Sequence, residues 1–209
     1  PSISIDHQET LGKTLTEIAG HKAGVLNPHV PFILGQMTPE VQKVFHQKTK
    51  ELDCPTYELD KEFSIRENGE IFDFHYKDIS IANITLSMLG HHQRTNASLA
   101  AMAAIILKSY FKNITKTTIK NGLENTVWAG RCELMRPNLM LDGAHNEDSI
   151  AKLVDVLKKD FSNRNIHILF AGLGRKPLTQ MLEELSAFDL AVTSFDFYQA
   201  QALSDYPEK

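Results

Sequence analysis

A short apolar run, Leu139-Met140-Leu141, passes through Asp142-Gly143-Ala144-His145-Asn146 into a stripe at Ile150, Leu153, Val154, Leu157 and Phe161. That stripe repeats every three to four residues, as one face of a helix does. The order is strand, tight glycine turn, helix. This junction constrains the fold more than any other feature of the chain, because open α/β sheets are built from such units. It also aims the last side chains of the strand into the crevice where those sheets bind ligands. The helix start carries unpaired N–H groups and a partial positive charge, both favourable to anions such as phosphate. Asp142 and His145 fall in that crevice, so the junction points to nucleotide chemistry. The competing reading is an ordinary βα turn capped by Asn146.

The rest of the chain repeats the alternation. Residues 1–5 read as a strand and 10–23 as a helix with Leu11, Leu15, Ile18 and Ala19 on one face. Pro31–Gly35 is a second strand, and Thr38-Pro39 opens a helix with the stripe Val41, Val44, Phe45, Leu52. Thr56–Leu59 is a third strand, and the alternation predicts parallel pairing. Between 63 and 88 the pattern changes. Phe63–Arg66 and Ile71–Tyr76 flank Asn68-Gly69, a hairpin signal, and Ile79–Leu86 adds another extended run. Helices are expected at 94–110 and 115–124, with a linker at Thr126–Gly130. A second series follows: strand 138–142, helix 147–160, strand 166–171, helix 177–186, strand 190–195. The boundary between two domains is placed at 127/128.

Of the 209 residues 42% are hydrophobic, enough for one large domain or two small ones. A net charge of −4 gives no basic excess for a nucleic-acid surface. The longest apolar run, Leu99–Leu107, is far short of the roughly 18 residues of a membrane span and reads as a buried helix. Cys54 and Cys132 are far apart in sequence, without metal-type spacing, so a disulfide framework is not expected and a cytoplasmic location is. The first residue is Pro1, and Asp205–Lys209 completes no sheet, so the chain is read as a fragment of a longer protein.

Four further groups carry candidate chemistry. In Trp128-Ala129-Gly130-Arg131-Cys132-Glu133, Arg131 is a candidate phosphate clamp, against a surface ion pair with Glu133. In Leu89-Gly90-His91-His92-Gln93-Arg94-Thr95-Asn96-Ala97, Gln93 and Asn96 share a helix face and carry amides that can read adenine. Capping by Thr95 or Asn96 is the alternative. His7 ends the first strand after Asp6, and Lys22 has Ile18, Ala23 and Val25 as neighbours, which suggests a partly buried amine. Structural roles compete in both cases. Finally, Ala171-Gly172-Leu173-Gly174-Arg175-Lys176-Pro177 is a glycine-rich loop able to hold an anion, a weak signal on its own.

In their order these motifs resemble the folylpolyglutamate synthase / dihydrofolate synthase family of the Mur ligase superfamily. The resemblance rests on Ser4-Ile5-Asp6-His7 with Leu11-Gly12, Lys22-Ala23-Gly24-Val25, Gly90-His91-His92-Gln93 with Asn96-Ala97, Trp128–Glu133 and Asp142–Asn146. It implies an α/β architecture: residues 1–127 as the C-terminal part of the central ATP-binding domain, and 128–209 as an incomplete Rossmann-like C-terminal domain. It implies a ligase that phosphorylates the terminal carboxylate of a folate with ATP and Mg2+, then joins L-glutamate to the acyl phosphate. Its small-molecule partners would be folate, L-glutamate and ATP, and the protein a monomer. Nucleotide would lie between the domains.

The resemblance also assigns roles. His7 matches a magnesium ligand, and Lys22 a lysine that becomes carbamylated and supports catalysis and metal. Gln93 and Asn96 match positions near adenine, Arg131 a phosphate contact and Asp142 the group that holds the ribose hydroxyls. His145 matches a catalytic position near the γ-phosphate or incoming glutamate. Departures are His21 before Lys22 in place of Glu, Glu147 in place of Pro, the 172–176 loop, and Phe197-Tyr198-Gln199-Ala200 in place of Pro-Arg-Ala. The last alters the expected glutamate side of the site. The family's phosphate loop, a Gly-rich turn ending in Gly-Lys-Ser/Thr, is read as absent, so the fragment alone is expected to be inactive. Alternatives are another Mur-type acid–amino-acid ligase, or a nucleotide-binding module without activity.

Overall fold

The computed structural model describes residue 3 and residues 11–173 and 178–206. The first strand, with Asp6 and His7, therefore lies outside the described residues, as does most of the loop at 174–177. The described elements are α1 (Leu15–Ala23), β1 (Phe32–Leu34), α2 (Pro39–Glu51), β2 (Thr56–Glu58), β3 (Phe63–Asn68), β4 (Ile71–Tyr76), β5 (Ile79–Ile84), α3 (His91–Leu107) and α4 (Lys116–Asn125). They continue with β6 (Glu133–Arg136), β7 (Leu139–Leu141), α5 (Glu147–Asp160), β8 (His167–Phe170), α6 (Leu178–Leu185), β9 (Asp189–Val192) and a 3-10 turn at Leu203–Asp205. The chain is thus α/β. It forms two compact units: one holds the described residues up to Ser87 and His91–Val127, the other Met88–Gly90 and the described residues from Trp128.

In the first unit β1 and β2 pair in parallel, Phe32 opposite Thr56, across the α2 crossover. Val41 and Phe45 of α2 pack with Leu34 and with Ala19 and Ala23 of α1 in one apolar cluster. The expected hairpin forms: β3 and β4 pair antiparallel with Asn68 opposite Ile71, and Gly69 supplies the positive φ of +63° that the two-residue turn requires. β5 completes a meander on β4. Phe72, Phe74, Ile81 and Ile84 of this sheet form a core with Ala97, Ala101 and Met102 of α3, so the Ala-rich stretch is a helix as expected, but buried on one face only, with Ala100 and Leu107 exposed. Small side chains let α3 lie close to the sheet, and each buried Phe contributes roughly 2 kcal/mol.

Two helix starts are displaced from the sequence reading, and α3 ends at Leu107 where 110 was expected. The helix expected from residue 10 to 23 is interrupted at Gly12, whose φ is +111°, and α1 restarts with Thr14 as its cap. Thr14 accepts the Glu17 N–H and Glu17 returns a carboxylate to the Thr14 N–H, a reciprocal capping box. α3 begins at His91, three residues before the expected start at 94, directly after Gly90, whose φ of +99° is non-helical. Thr95 and Asn96 therefore lie inside the helix and do not cap it.

In the second unit β8 and β9 pair in parallel, with Phe170 opposite Val192, and α5 and α6 bury Ile150, Val154, Met181 and Leu185 beside them. One strand departs from expectation. β7, which leads into Asp142, pairs antiparallel with β6 and belongs to a separate two-stranded sheet. The sequence reading contained no β6, since Glu133-Leu134-Met135-Arg136 alternates too little to show as a strand. A cavity of about 490 Å³ lies against β7, α5 and β8, floored by Ile150, Leu153 and Leu157, with Asp142 on its lining. No described helix is long and apolar enough to cross a membrane.

Candidate functional site

In the second unit two turns are laced together by backbone and carboxylate. The Gly143 N–H donates to the Gly130 carbonyl at 2.8 Å, joining the turn after β7 to the turn before β6. The Asp142 carboxylate spans the same seam: Oδ2 accepts the Cys132 N–H at 2.7 Å and Oδ1 the Ala144 N–H at 2.8 Å. Glu133 closes the first turn by accepting the Gly130 N–H at 2.8 Å. Gly130 (φ +70°) and Cys132 (φ +46°) both adopt left-handed backbone, which folds this turn tightly enough to present its amides. Each carboxylate oxygen accepts one of these N–H groups, and an ionised carboxylate offers about four lone pairs, so Asp142 keeps capacity for further donors.

Arg131 and His145, one on each of these two turns, are both exposed. Arg131 lies beside Cys132, the residue tied to Asp142. Among the described residues it makes no ion pair, and the alternative partner, Glu133, serves Gly130 instead. The His145 ring places Nδ1 2.7 Å from the Gly143 carbonyl, so Nδ1 is the donor there. Asn146 caps α5 by accepting the Ser149 N–H at 2.9 Å. The capping reading of this junction is therefore correct for Asn146. It does not account for Asp142, whose oxygens serve the neighbouring turns. Asp142, Arg131 and His145 thus lie on two turns that the Gly143-to-Gly130 hydrogen bond joins.

Burial shifts the chemistry of the adjacent thiol. Cys132 is 8% exposed, and its thiol is pushed up to about 12, first by burial and then by the Asp142 carboxylate that it faces. At neutral pH it is a small apolar packing group, not a nucleophile.

In the first unit Gln93 and Asn96 do share a face. Asn96 Nδ2 donates to Gln93 Oε1 at 3.0 Å, Gln93 being buried and Asn96 exposed. That bond orients both amides, leaving Gln93 Nε2 as a donor and Asn96 Oδ1 as an acceptor, side by side.

Lys22 differs from the sequence expectation. Ile18 and Ala23 are buried, but Lys22 lies on the exposed side of the last turn of α1 and Val25 is 76% exposed, so no apolar pocket surrounds the amine. A cation there suits the negative end of the helix. His7 lies outside the described residues. Among the described residues no three His, Cys, Asp or Glu side chains are grouped to hold a metal ion.

The tripeptide Gly12-Lys13-Thr14 has the ending of a phosphate loop, a match that the sequence reading passed over. The structure gives it another use. The Lys13 and Thr14 N–H groups, which a phosphate would need, donate to Glu17 Oε2 at 2.7 and 3.0 Å. A Cβ on Gly12 would meet the Glu17 side chain at 2.5 Å. Position 7, five before Gly12, is His and not the Gly that such a loop requires.

Of the second glycine-rich loop, Gly172 and Leu173 are described. Gly172 donates to the Tyr206 hydroxyl at 2.8 Å, and a Cβ there would lie 2.9 Å from Leu178, so close packing requires the glycine. Its anion-binding reading falls on residues 174–177, outside the described residues.

Two parallel βα units, an antiparallel meander and a tethered carboxylate at a strand–helix junction define a protein of the α/β class. No family model matches the chain. It is 34% identical to the dihydrofolate synthase/folylpolyglutamate synthase of Bacillus subtilis over 98% of its length and 50% of that protein's. It is 30% identical to the folylpolyglutamate synthase of Lacticaseibacillus casei, over 88% of its own length and 45% of the relative's. Among solved structures, Mycobacterium tuberculosis folylpolyglutamate synthase complexed with ADP and AMPPCP superposes with a TM-score of 0.85 at 26% identity, over 97% of this chain and 48% of that one. A folylpolyglutamate synthase complex with AMPPCP and folate gives 0.82 at 28% identity, over 91% and 48%. The chain belongs to the folylpolyglutamate synthase / dihydrofolate synthase family, and it spans about half the length of the relatives it matches.

Proposed function

We propose that this chain is the C-terminal part of an ATP-dependent ligase that adds L-glutamate to the terminal carboxylate of a folate. In this reading the first unit derives from the central ATP-binding domain and the second is a Rossmann-like C-terminal domain. ATP phosphorylates the folate carboxylate, ADP leaves, the glutamate amine attacks the acyl carbon, and phosphate departs as the amide forms. The enzyme has little covalent chemistry to supply in such a sequence. Its task is to place the groups and balance their charge.

The observation that carries this reading is the Asp142 carboxylate, fixed by the Cys132 and Ala144 amides with acceptor capacity left over. Fixed carboxylates of this kind bind vicinal hydroxyls such as those of ribose. Beside it Arg131 contributes a planar, always-charged fork for phosphate oxygens. His145, held through Nδ1 by Gly143, serves at the γ-phosphate or the incoming amine. In the first unit the Gln93 donor and Asn96 acceptor match the acceptor and donor edge of adenine. Relatives whose structures hold AMPPCP, ADP and folate support ATP and folate as ligands.

Magnesium remains part of the proposal through His7 and a carbamylated Lys22. The described residues supply no three-ligand group, and Lys22 stands exposed. The protein is proposed to act as a cytoplasmic monomer without membrane or nucleic-acid partners. The test is ADP release by the complete enzyme, which should require a folate and L-glutamate together. Asp142→Asn, which turns an N–H towards one of the two amide donors, should lower ATP affinity at least about ten-fold. ADP release that is equal without folate would overturn the assignment. Release that is equal with a peptidoglycan precursor would favour another Mur-type ligase.

A further inference from the structure

We propose that Glu67 and Arg94 form a positioning clamp that sets the base preference of the site by fixing the first turns of α3. α3 opens at His91 with no acidic residue in its first turn. The missing carboxylate comes from another element. Glu67, next to last on β3, places Oε2 2.7 Å from the Arg94 guanidinium and 3.2 Å from His91 Nδ1. Arg94 is the more sheltered partner, its side chain 19% exposed against 30% for Glu67, and the 2.7 Å separation makes the contact a charge-assisted hydrogen bond. A carboxylate beside the first turn also favours the positive helix end.

Arg94 follows Gln93 directly, and Asn96 lies three positions beyond Gln93. A rotation or slide of α3 against the meander would carry both amides with it. The Asn96-to-Gln93 bond sets which amide donates and which accepts, and the Glu67 clamp sets where that pair stands. Donor beside acceptor fits adenine, whereas guanine presents an O6 acceptor where adenine has its amino donor. Nothing in the sequence pairs residues 67 and 94, since 27 positions separate them. The inference rests on the reading of Gln93 and Asn96 as base-contacting groups.

The experiment is a titration of the complete enzyme with ATP and with GTP, read as the ratio of the two dissociation constants. Glu67→Ala should weaken ATP about ten-fold and leave the weaker GTP affinity unchanged. Arg94→Ala should do the same, and the double variant should be no worse than either single one, as for a true pair. Glu67→Gln, which keeps an acceptor for Arg94, should fall between wild type and Glu67→Ala. An unchanged ATP/GTP ratio of dissociation constants in Glu67→Ala, with a raised ratio in Gln93→Ala, would overturn the clamp and leave the base-reading role standing. An unchanged ratio in Gln93→Ala would overturn both. Equal weakening of both nucleotides in Glu67→Ala and Arg94→Ala would mark the pair as structural and also overturn the proposal.

Discussion

At the residue scale, Asp142 and Cys132 show how one contact fixes two properties. The carboxylate accepts the Cys132 N–H, and in doing so it stands beside a buried thiol whose ionisation would add a second negative charge. The thiol is therefore held protonated, up to about 12 against an ordinary value near 9.0. Two consequences follow for the free cysteines Cys54 and Cys132. In native protein at pH 8, iodoacetamide should alkylate half-buried Cys54 well before buried Cys132, and denaturant should expose both to equal reaction. Mass-spectrometric mapping reads the difference. The raised folded value also means that the stabilisation is complete below about 9 and is lost as pH rises towards 12. The fall in unfolding temperature over that alkaline range should be steeper in wild type than in Cys132→Ala. Asp142, Arg131 and His145 were legible in the sequence as a strand-end carboxylate, a turn guanidinium and a turn imidazole. The tether that makes Asp142 rigid was not, because it depends on left-handed backbone at Cys132, a residue type that does not advertise that conformation.

At the element scale, the helices most legible in sequence were those with a cap and a wide apolar stripe. α5 runs Glu147–Asp160, the span its stripe and Asn146 predicted. α1 was over-extended because Leu11 continues the apolar period, while Gly12 breaks the backbone. What holds its true start is the Glu17 carboxylate, kept below the usual carboxylate range mainly by the Lys13 N–H, then by the Thr14 N–H and hydroxyl. A lowered folded value means that this contribution is present above about 4.5 and disappears as pH falls through the folded value. Glu17→Gln should therefore lower the thermal midpoint at pH 7, and the gap from wild type should close towards pH 3. A gap that stays constant with pH would place the effect in packing and not in the capping charge. β6 was invisible because strand pairing, not its own sequence, defines it: Glu133 faces Leu141 and Leu134 faces Met140 across the ladder.

At the scale of the whole molecule, the two units differ in the groups that the proposed reading would set against a nucleotide. The first presents an oriented amide pair on α3, and the second a fixed carboxylate with a guanidinium and an imidazole. Neither shows a cradle for the triphosphate among the described residues. The Gly12-Lys13-Thr14 amides that resemble one are already occupied by Glu17. The relatives it matches are about twice as long as this chain. Phosphoryl transfer depends on groups that neutralise the β- and γ-phosphates, and base and ribose contacts do not replace them. Residues 1–209 expressed alone should therefore release no ADP above background with ATP, a folate and L-glutamate, under conditions where the complete enzyme turns over. Calorimetry with ADP should show the same chain binding weakly or not at all. The outcome that would refute this is steady ADP release by residues 1–209 that requires both folate and glutamate, since the phosphate-handling groups would then have to lie within this chain.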